Sequence, residues 1–322
     1  MIEGLVGLSQ SSRHTDGLLP APYIQSMDNI FGPNDTVIRL SVFGGVFVLM
    51  ALIELALPKR KLIATKGRRW LTNLGISVTA AVVLRLMAAL AVPVAAVAAA
   101  FYAQQHDIGL LNQLAWPEWL KVVIALAVLD LAIWAQHLAS HKIPILWRLH
   151  RVHHADRDID VTTAVRFHPI EIALSMLWKI LVVVPLGASP LAVFLFEVIL
   201  NGCAMFNHAN IALPGWLDRV VRLFIVTPDM HRVHHSVLRR EHDSNYGFNL
   251  SLWDRVFRTY TAQPEGGHLG MKIGLTPYQG EAPTRFGWSL WLPFLREGSK
   301  TPAPATPGET SQTPRATKEK RV

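Results

Sequence analysis

The sequence predicts an all-α integral membrane protein of about four transmembrane or re-entrant helical blocks, with a cytoplasmic helical cap that carries clustered histidines. Two observations predict this class. Of the 322 residues, 51% are apolar and only 17% are charged, whereas soluble domains carry about 25% charged residues. The apolar residues also form long blocks, and a helix needs roughly 20 residues to cross a hydrocarbon core.

Three of the blocks are long enough to cross as single helices. They are residues 37–57, residues 76–103 with a kink expected at Pro93, and residues 119–136. The third block leads directly into the first cluster of histidines. The chain therefore emerges from the membrane where the histidines begin.

The fourth block, residues 172–206, is interrupted by Gly187-Ala-Ser-Pro190. Gly and Pro end helices, so we predict a hairpin of two halves of about 15 residues. Lys179 and Glu197 fall at similar depth in the two halves. They are expected either to pair with each other or to line the entry of a substrate. A hairpin returns the chain to the same side, which lets histidines before and after it share one site.

The charges of the loops predict the orientation. Residues 58–70 contain six Lys and Arg, whereas residues 104–118 contain none. Cytoplasmic loops carry the excess of basic residues, so residues 58–70 and the histidine clusters are expected on the cytoplasmic side. The membrane is expected to be a bacterial inner membrane or one of the endoplasmic reticulum type. No signal peptide is expected at the N-terminus, because residues 1–30 lack the charged start and short apolar core of one.

Histidine is the one plentiful metal-binding side chain. The single cysteine, Cys203, excludes a disulfide framework and a centre held by several thiolates. Nine of the 14 histidines fall within residues 137–154 and 231–242. The function is therefore to be sought in these two windows.

The histidines recur at helical spacing. Residues three or four apart share one helix face, so each of three boxes presents its imidazoles together. The boxes are His137 with His141, His150 with His153 and His154, and His231 with His234 and His235. His208 would be a ninth ligand, whereas His168 would be either a ligand or a loop histidine bonded to Glu171.

The number of histidines favours two metal ions. One tetrahedral zinc takes four protein ligands, and the three boxes hold eight histidines. A pair of irons with open coordination positions suits O2 chemistry. Asp130 lies on the same stripe as His137 and His141, where it would accept an imidazole N–H. Three further neighbours are expected around the ligands: Glu171, Asp243 and Asn245.

These residues together resemble the fatty acid hydroxylase/sterol desaturase superfamily of membrane-bound, histidine-rich di-iron enzymes. The resemblance covers roughly residues 130–260, including Leu146-Trp-Arg-Leu-His-Arg-Val-His-His154, Asn207-His208 and Thr227-Pro-Asp-Met-His-Arg-Val-His-His-Ser236. It implies that the three boxes ligate two iron ions, and that His208 does so too. Arg258 departs from the pattern, since a glycine is common there.

The function expected is O2-dependent oxidation of a membrane lipid, by hydroxylation or desaturation of a fatty acyl, sterol, sphingolipid or ether-lipid C–H bond. Electrons must come from a cytochrome b5-like, ferredoxin or reductase partner, because the chain has no GxGxxG fingerprint, flavin site or cysteine set. No nucleic-acid partner is expected. The alternatives are a membrane zinc hydrolase, although the HExxH motif is absent, a non-catalytic metal or haem carrier, and a degenerate relative that keeps the metal for stability.

The domain organisation follows from these assignments. The segments are a non-cytoplasmic N-terminal segment (1–36), N-terminal transmembrane helices (37–129), a catalytic domain (130–260), a C-terminal cap segment (261–297) and a disordered basic tail (298–322). The tail is rich in Pro, Thr and Ala and has too few apolar residues to fold.

Overall fold

The structure, a computed structural model, describes residues 35–90 and 95–296. The kink expected at Pro93, most of the N-terminal segment and the basic tail lie outside the described residues. Within them the chain is helical, and β structure is limited to three isolated bridges. The helices in chain order are α1 (Asp35–Ala56), α2 (Lys66–Ala89), α3 (Ala96–Gln105), α4 (Glu118–Lys142), α5 (Pro144–His154), α6 (Pro169–Leu186), α7 (Pro190–His208), α8 (Gly215–Val221), α9 (Pro228–His234), α10 (Arg239–His242), α11 (Leu252–Val256), α12 (Gly267–Gly270) and α13 (Phe286–Trp291).

Five of these helices are long and apolar enough to cross a membrane: α1, α2, α4, α6 and α7. This confirms the prediction of an all-α integral membrane protein. Five short 3₁₀ turns, at Leu110–Gln113, Val161–Val165, Thr276–Tyr278, Ala282–Thr284 and Leu292–Phe294, complete the described elements.

The second predicted span, residues 76–103, is wrong in its bounds. It divides into α2, which begins ten residues earlier at Lys66, and the separate helix α3. With 10 residues α3 is only about 15 Å long, too short to span. The early start of α2 was hidden because its first turn contains Lys66, Arg68 and Arg69, which we interpreted as charges of a cytoplasmic loop.

The chain does return on itself through α6 and α7. Glu171, in the first turn of α6, bonds His150, and His208, the last residue of α7, lies against His153. The start of α6 and the end of α7 therefore both contact the second histidine box, on α5. The two helices, of 18 and 19 residues, are longer than the expected halves, so each is long enough to cross.

Local chemistry explains the sharp turn between α6 and α7. Gly187 has φ +69°, a left-handed conformation that ends α6 without the strain of a side chain. The Ser189 hydroxyl then accepts from the Ala192 N–H, and Pro190 occupies the first turn of α7. Gly109 packs against this turn so closely that a Cβ on it would lie 2.2 Å from the Gly187 nitrogen.

A buried charge network fastens the segment after α5 to α2. The guanidinium of Arg69 donates to Asp156 at 2.8 Å and to Asp160 at 2.7 Å, and all three side chains are at most 2% exposed. Although burial alone would raise the pKa of Asp156, Arg69 holds it below its ordinary value. Removing one partner from such a buried pair costs about 3–5 kcal/mol. The loop after α5 is therefore firmly held. The helix α5 itself carries three of the histidines.

Arg166 ties the C-terminal segment into the same region. Its guanidinium donates to the Val152 carbonyl of α5, to the Asn73 side chain of α2 and to Pro283 and Ser289 near α13. The membrane helices meet in a separate apolar core, formed mainly by α3, α4, α6 and α7. The histidines lie at the ends of α4 and α7, with α5 and α9 beside them.

Candidate metal centre

Four helices bring the histidines to one place. α4 carries His137 and His141 in its last two turns, and Pro144 starts α5 immediately afterwards with the second box. α7 ends at His208. The Thr227 hydroxyl caps α9 by accepting from the Met230 N–H, and that helix carries the third box.

The structure brings together all nine histidines that the sequence singled out as ligands, and every one is buried. They form two groups in which the nearest side-chain nitrogens all lie within 4.8 Å of one another. The five-histidine group is His137, His141, His150, His154 and His234; the four-histidine group is His153, His208, His231 and His235. The two groups adjoin, since the rings of His154 and His235 stack at 4.7 Å.

The buried imidazoles are short of hydrogen-bond partners. Nine nitrogens on six of the histidines have none among the described residues, although buried polar groups are almost always paired. They belong to His141, His153, His154, His231, His234 and His235. An imidazole binds a metal through one nitrogen, so bound cations would satisfy His234 Nε2 and one nitrogen each of His141, His154 and His235.

The tautomers of the histidines also favour a bound metal ion. His137 Nδ1 lies 2.6 Å from the Tyr246 carbonyl oxygen, which can only accept, so Nδ1 carries the proton and Nε2 presents a lone pair. His150 donates Nδ1–H to Glu171 in the same way, yet the two Nε2 atoms are 3.1 Å apart. Two facing lone pairs repel at that distance. Two ligands of one metal at about 2.1 Å and at right angles would lie about 3.0 Å apart, so the donor set fits a metal ion.

The four-histidine group repeats this geometry. His208 donates Nδ1–H to the Ala204 carbonyl at 2.7 Å, and its Nε2 lies 3.1 Å from His153 Nε2 and 3.0 Å from His231 Nε2. Three imidazoles thus present one nitrogen each to a common point.

Burial keeps these imidazoles in the ligating form. Desolvation, and after it the neighbouring imidazoles, lower the pKa of five of the histidines well below 6.5. These five are His153, His154, His231, His234 and His235. They are neutral at pH 7, as metal binding requires.

Two of the acids expected near the ligands lie beside them. Glu171 Oε1 accepts from His150 Nδ1 at 2.6 Å. Asp243 Oδ1 is 3.5 Å from His141 Nδ1, too far for a good hydrogen bond, while its other oxygen accepts from Lys142 at 2.8 Å. Glu171 thus fixes a ring directly, and Asp243 supplies negative charge beside one.

Asn245 acts on the site through the backbone. Its amide donates to the carbonyls of Met230 and Thr261 at 2.9 and 2.8 Å, and φ is +53°, which Asn tolerates better than most residues. Its hydrogen bonds among the described residues go to the backbone and not to an imidazole. The flanking carbonyls of Ser244 and Tyr246 accept from His234 and His137, so Asn245 sets the loop that orients two histidines.

Asp130 does not hold an imidazole, contrary to the expectation from its helical stripe. Its carboxylate accepts from the Trp253 indole at 2.8 Å and from the Leu250 N–H at 3.2 Å. The stripe is long, and Asp130 lies two turns below His137, where the segment around α11 packs against α4. Asp130 therefore joins two elements instead of fixing a ligand.

His168 also lies outside both groups. Its Nδ1 accepts from the Ile170 N–H at 3.2 Å, which caps α6, and its Nε2 lies 3.2 Å from the Leu290 carbonyl. The bond to Glu171 considered for it is absent from the described contacts, because that carboxylate faces His150. His168 is a capping residue in this structure.

Sequence reasoning missed several residues that shape the site. Phe167 stacks on His153 with ring centroids 4.3 Å apart, and Phe248 lies 4.8 Å from His137. No spacing marks either ring. Asp156 is 2% exposed and bonds Arg69. Arg258 has φ +59°, the left-handed conformation that glycine adopts most easily and that explains the glycine common there.

Two cavities reach the histidines. A cavity of about 400 Å³ lies between α1, α2, α4, α6 and α7 and touches His137 and His150. A second, of about 360 Å³, touches His141 and is bounded by Lys142, Trp147 and Arg239. The five-histidine group is therefore approachable both from between the membrane helices and from the side of Trp147.

Comparison with known proteins agrees with this geometry. Residues 122–259 match the profile of the Fatty acid hydroxylase family. The chain is 32% identical over 187 residues to ornithine lipid hydroxylase OlsE of Rhizobium tropici, covering 58% of this chain and 54% of that one. It is 27% identical over 166 residues to alkylglycerol monooxygenase of Homo sapiens (49% and 35%) and 27% over 153 residues to cholesterol 25-hydroxylase of Mus musculus (44% and 47%).

The matches span about half the length, or less, of these relatives. No solved structure matches the chain significantly.

Proposed function

We propose that the chain is a member of the fatty acid hydroxylase/sterol desaturase superfamily and an O2-dependent oxidoreductase that hydroxylates a C–H bond of a membrane lipid. The observation that carries the proposal is the pair of adjoining histidine groups at the end of a cavity between membrane helices.

We propose two iron ions, one held by the five-histidine group and one by the four-histidine group. Nitrogen ligands with open positions suit iron, and an iron pair supplies the O2-dependent oxidation of a C–H bond. The chain itself holds the imidazoles neutral by burial and fixes their direction through Glu171 and the carbonyls of Ala204, Ser244 and Tyr246.

The residues around the cavity keep water from the reaction. Phe167 and Phe248 lie against the imidazoles, and Ile133, Leu84 and Met176 continue the apolar lining. Exclusion of water protects a reactive site from side reactions. The cavity therefore suits an apolar portion of a lipid, held with one carbon near His137 and His150.

Hydroxylation is favoured over desaturation by the relatives. The three compared are named as a lipid hydroxylase, an alkylglycerol monooxygenase and a cholesterol hydroxylase. Their substrates differ in chemistry, so the shared property is hydroxylation of an amphiphilic lipid. We propose that reaction class for this chain.

We further propose that electrons come from a separate donor, such as a cytochrome b5-like protein, a ferredoxin or a reductase, on the cytoplasmic side. The cavity on the cap side leads to His141, and its mouth carries exposed Lys142 and Arg239. Basic side chains favour the approach of an acidic protein. Trp147 lies 5.2 Å from His141 at this opening.

Isotope labelling tests the proposed reaction. Membranes that contain the wild-type chain, a reducing system and ¹⁸O2 are expected to form hydroxylated lipids carrying ¹⁸O. His234→Ala should form none, whereas His106→Ala, on an exposed histidine away from both groups, should match the wild type. Label taken up from H2¹⁸O instead would indicate the zinc hydrolase, and unchanged lipids in all samples would indicate a non-catalytic metal protein; either result would overturn the proposal.

A further inference from the structure

A charged cluster lines the membrane cavity at the end away from the histidines. The Lys179 ammonium donates to Glu197 Oε1 at 3.0 Å, and Arg39 donates to Glu197 Oε2 at 3.2 Å. Lys179 and Glu197 both line the cavity of about 400 Å³ that also touches His137 and His150. Pairing and lining, which the sequence left as alternatives, are therefore both realised.

The position of the cluster defines a length. Lys179 lies eight residues after Glu171 on α6, which places it about 12 Å along the helix axis from the carboxylate that bonds His150. Between the two ends the lining is mixed, with Ser77, Ser175 and Gln136 among apolar side chains. The cavity thus has a reactive end and a cationic end about 12 Å apart.

Lys179 retains capacity for a further partner. An ammonium has three donors, and among the described residues Glu197 accepts one of them. That carboxylate is shared with Arg39. A charged side chain inside a membrane segment is costly and usually marks a functional site. Lys179 is only 4% exposed, so a ligand in the cavity is the natural acceptor for its remaining donors.

The charged cluster also borders a smaller cavity beside α1. A second cavity, of about 200 Å³, lies between α1 and α7 and shares Phe43, Glu197 and Asn201 with the first. α1 is the least buried of the membrane helices, with only 6% of its apolar window enclosed. A lipid entering between α1 and α7 would pass Glu197 and Lys179 before it reached the histidines.

We propose that Lys179 binds an oxyanion, a carboxylate or a phosphate, of an amphiphilic ligand whose apolar part extends about 12 Å toward His137 and His150. The oxyanion forms charge-assisted hydrogen bonds with the ammonium, beside the Glu197 carboxylate that Lys179 and Arg39 share. This inference rests on the proposed lipid hydroxylase function for the identity of the reactive end, and it adds the chemical class of the ligand.

Direct binding tests the inference without turnover. Iron-loaded full-length protein in a neutral detergent at pH 8 is titrated calorimetrically with hexadecanoate, hexadecyl phosphate and methyl hexadecanoate. We expect one or both anions to bind about tenfold more tightly than the neutral ester, because a charge-assisted bond is worth about a factor of ten or more. The stronger of the two anions identifies a carboxylate or a phosphate as the group. Equal binding of anions and ester by the wild type would overturn the inference.

The variants separate anion binding from a purely structural ion pair. Lys179→Gln should abolish the preference for the anions, and Lys179→Arg should keep it. Glu197→Gln, which frees the ammonium from its counter-ion, should strengthen anion binding. Lys121→Gln is the matched control, because Lys121 pairs with Glu118 at the start of α4 and does not line the cavity.

If Lys179→Gln kept the anion preference, or if Glu197→Gln weakened anion binding as much as Lys179→Gln, the inference would be wrong. Because binding is measured apart from oxygenation, such a failure with the iron still bound would leave the proposed function intact. Absence of ¹⁸O incorporation by the wild type would contradict the proposed function and would leave the measured anion binding unchanged.

Discussion

Replacing Glu171 by Gln tests how the chain would hold the proposed iron. Glu171 Oε1 accepts from His150 Nδ1 at 2.6 Å, and the opposite nitrogen of that ring is 3.1 Å from His137 Nε2. Gln keeps the shape but removes the negative charge that makes His150 a better donor to a metal. Loss of such an outer partner lowers metal affinity by about 10- to 100-fold, which is about 1.4–2.7 kcal/mol.

The assay is the iron retained per chain after dialysis against a graded series of chelator concentrations. The midpoint for Glu171→Gln should shift by one to two decades, as estimated above from the loss of one outer partner. Glu118→Gln is the control, since Glu118 is exposed at the opposite end of α4 and pairs with Lys121. If Glu171→Gln retained iron as the wild type does, the role we give this carboxylate would be refuted.

Three further predictions follow from the contacts around the site. Asp130→Ala should keep both irons yet lower the free energy of unfolding by about 1–3 kcal/mol, because the Trp253 indole and the Leu250 N–H lose their acceptor; loss of iron would show that Asp130 supports a ligand after all. His168→Ala should likewise keep both irons and lose about 0.5–2 kcal/mol as the cap of α6 disappears, whereas a drop to one iron would make it a ligand. In metal-free protein, burial lowers the pKa of His153, His154, His231, His234 and His235 below 6.5, so the unfolded chain binds more protons than the folded one below that pH. The melting temperature should therefore be highest above pH 6.5 and should fall as the pH falls toward the folded pKa values. A flat profile from pH 7.5 to 5 would contradict the burial argument.

The sequence predicted what depends on spacing. The repeated HxxHH boxes, the HxxxH pair and His208 needed only helical periodicity and a chain that returns on itself, and the structure gathers all nine imidazoles. The return was predictable because Gly187 and Pro190 interrupt the fourth block.

What depends on long-range packing was not predictable. The stripe argument placed Asp130 beside His137, but the segment around α11 packs against α4 and gives Asp130 other partners. Arg69 and Asp156 are 87 residues apart in the chain, so no local pattern marks their pairing, and Arg69 was interpreted as a loop charge. The start of α2 was missed for the same reason, since the buried salt bridge of Arg69 looks like loop charge in a single sequence.

The central claim is that imidazoles from separate segments hold a pair of iron ions. The most direct measurement is the metal content of the purified chain together with its Mössbauer spectrum. We predict two irons per chain with the magnetic coupling of a pair, and loss of the coupled signal in His234→Ala. Stoichiometric zinc, or a single uncoupled iron in the wild type, would contradict the account.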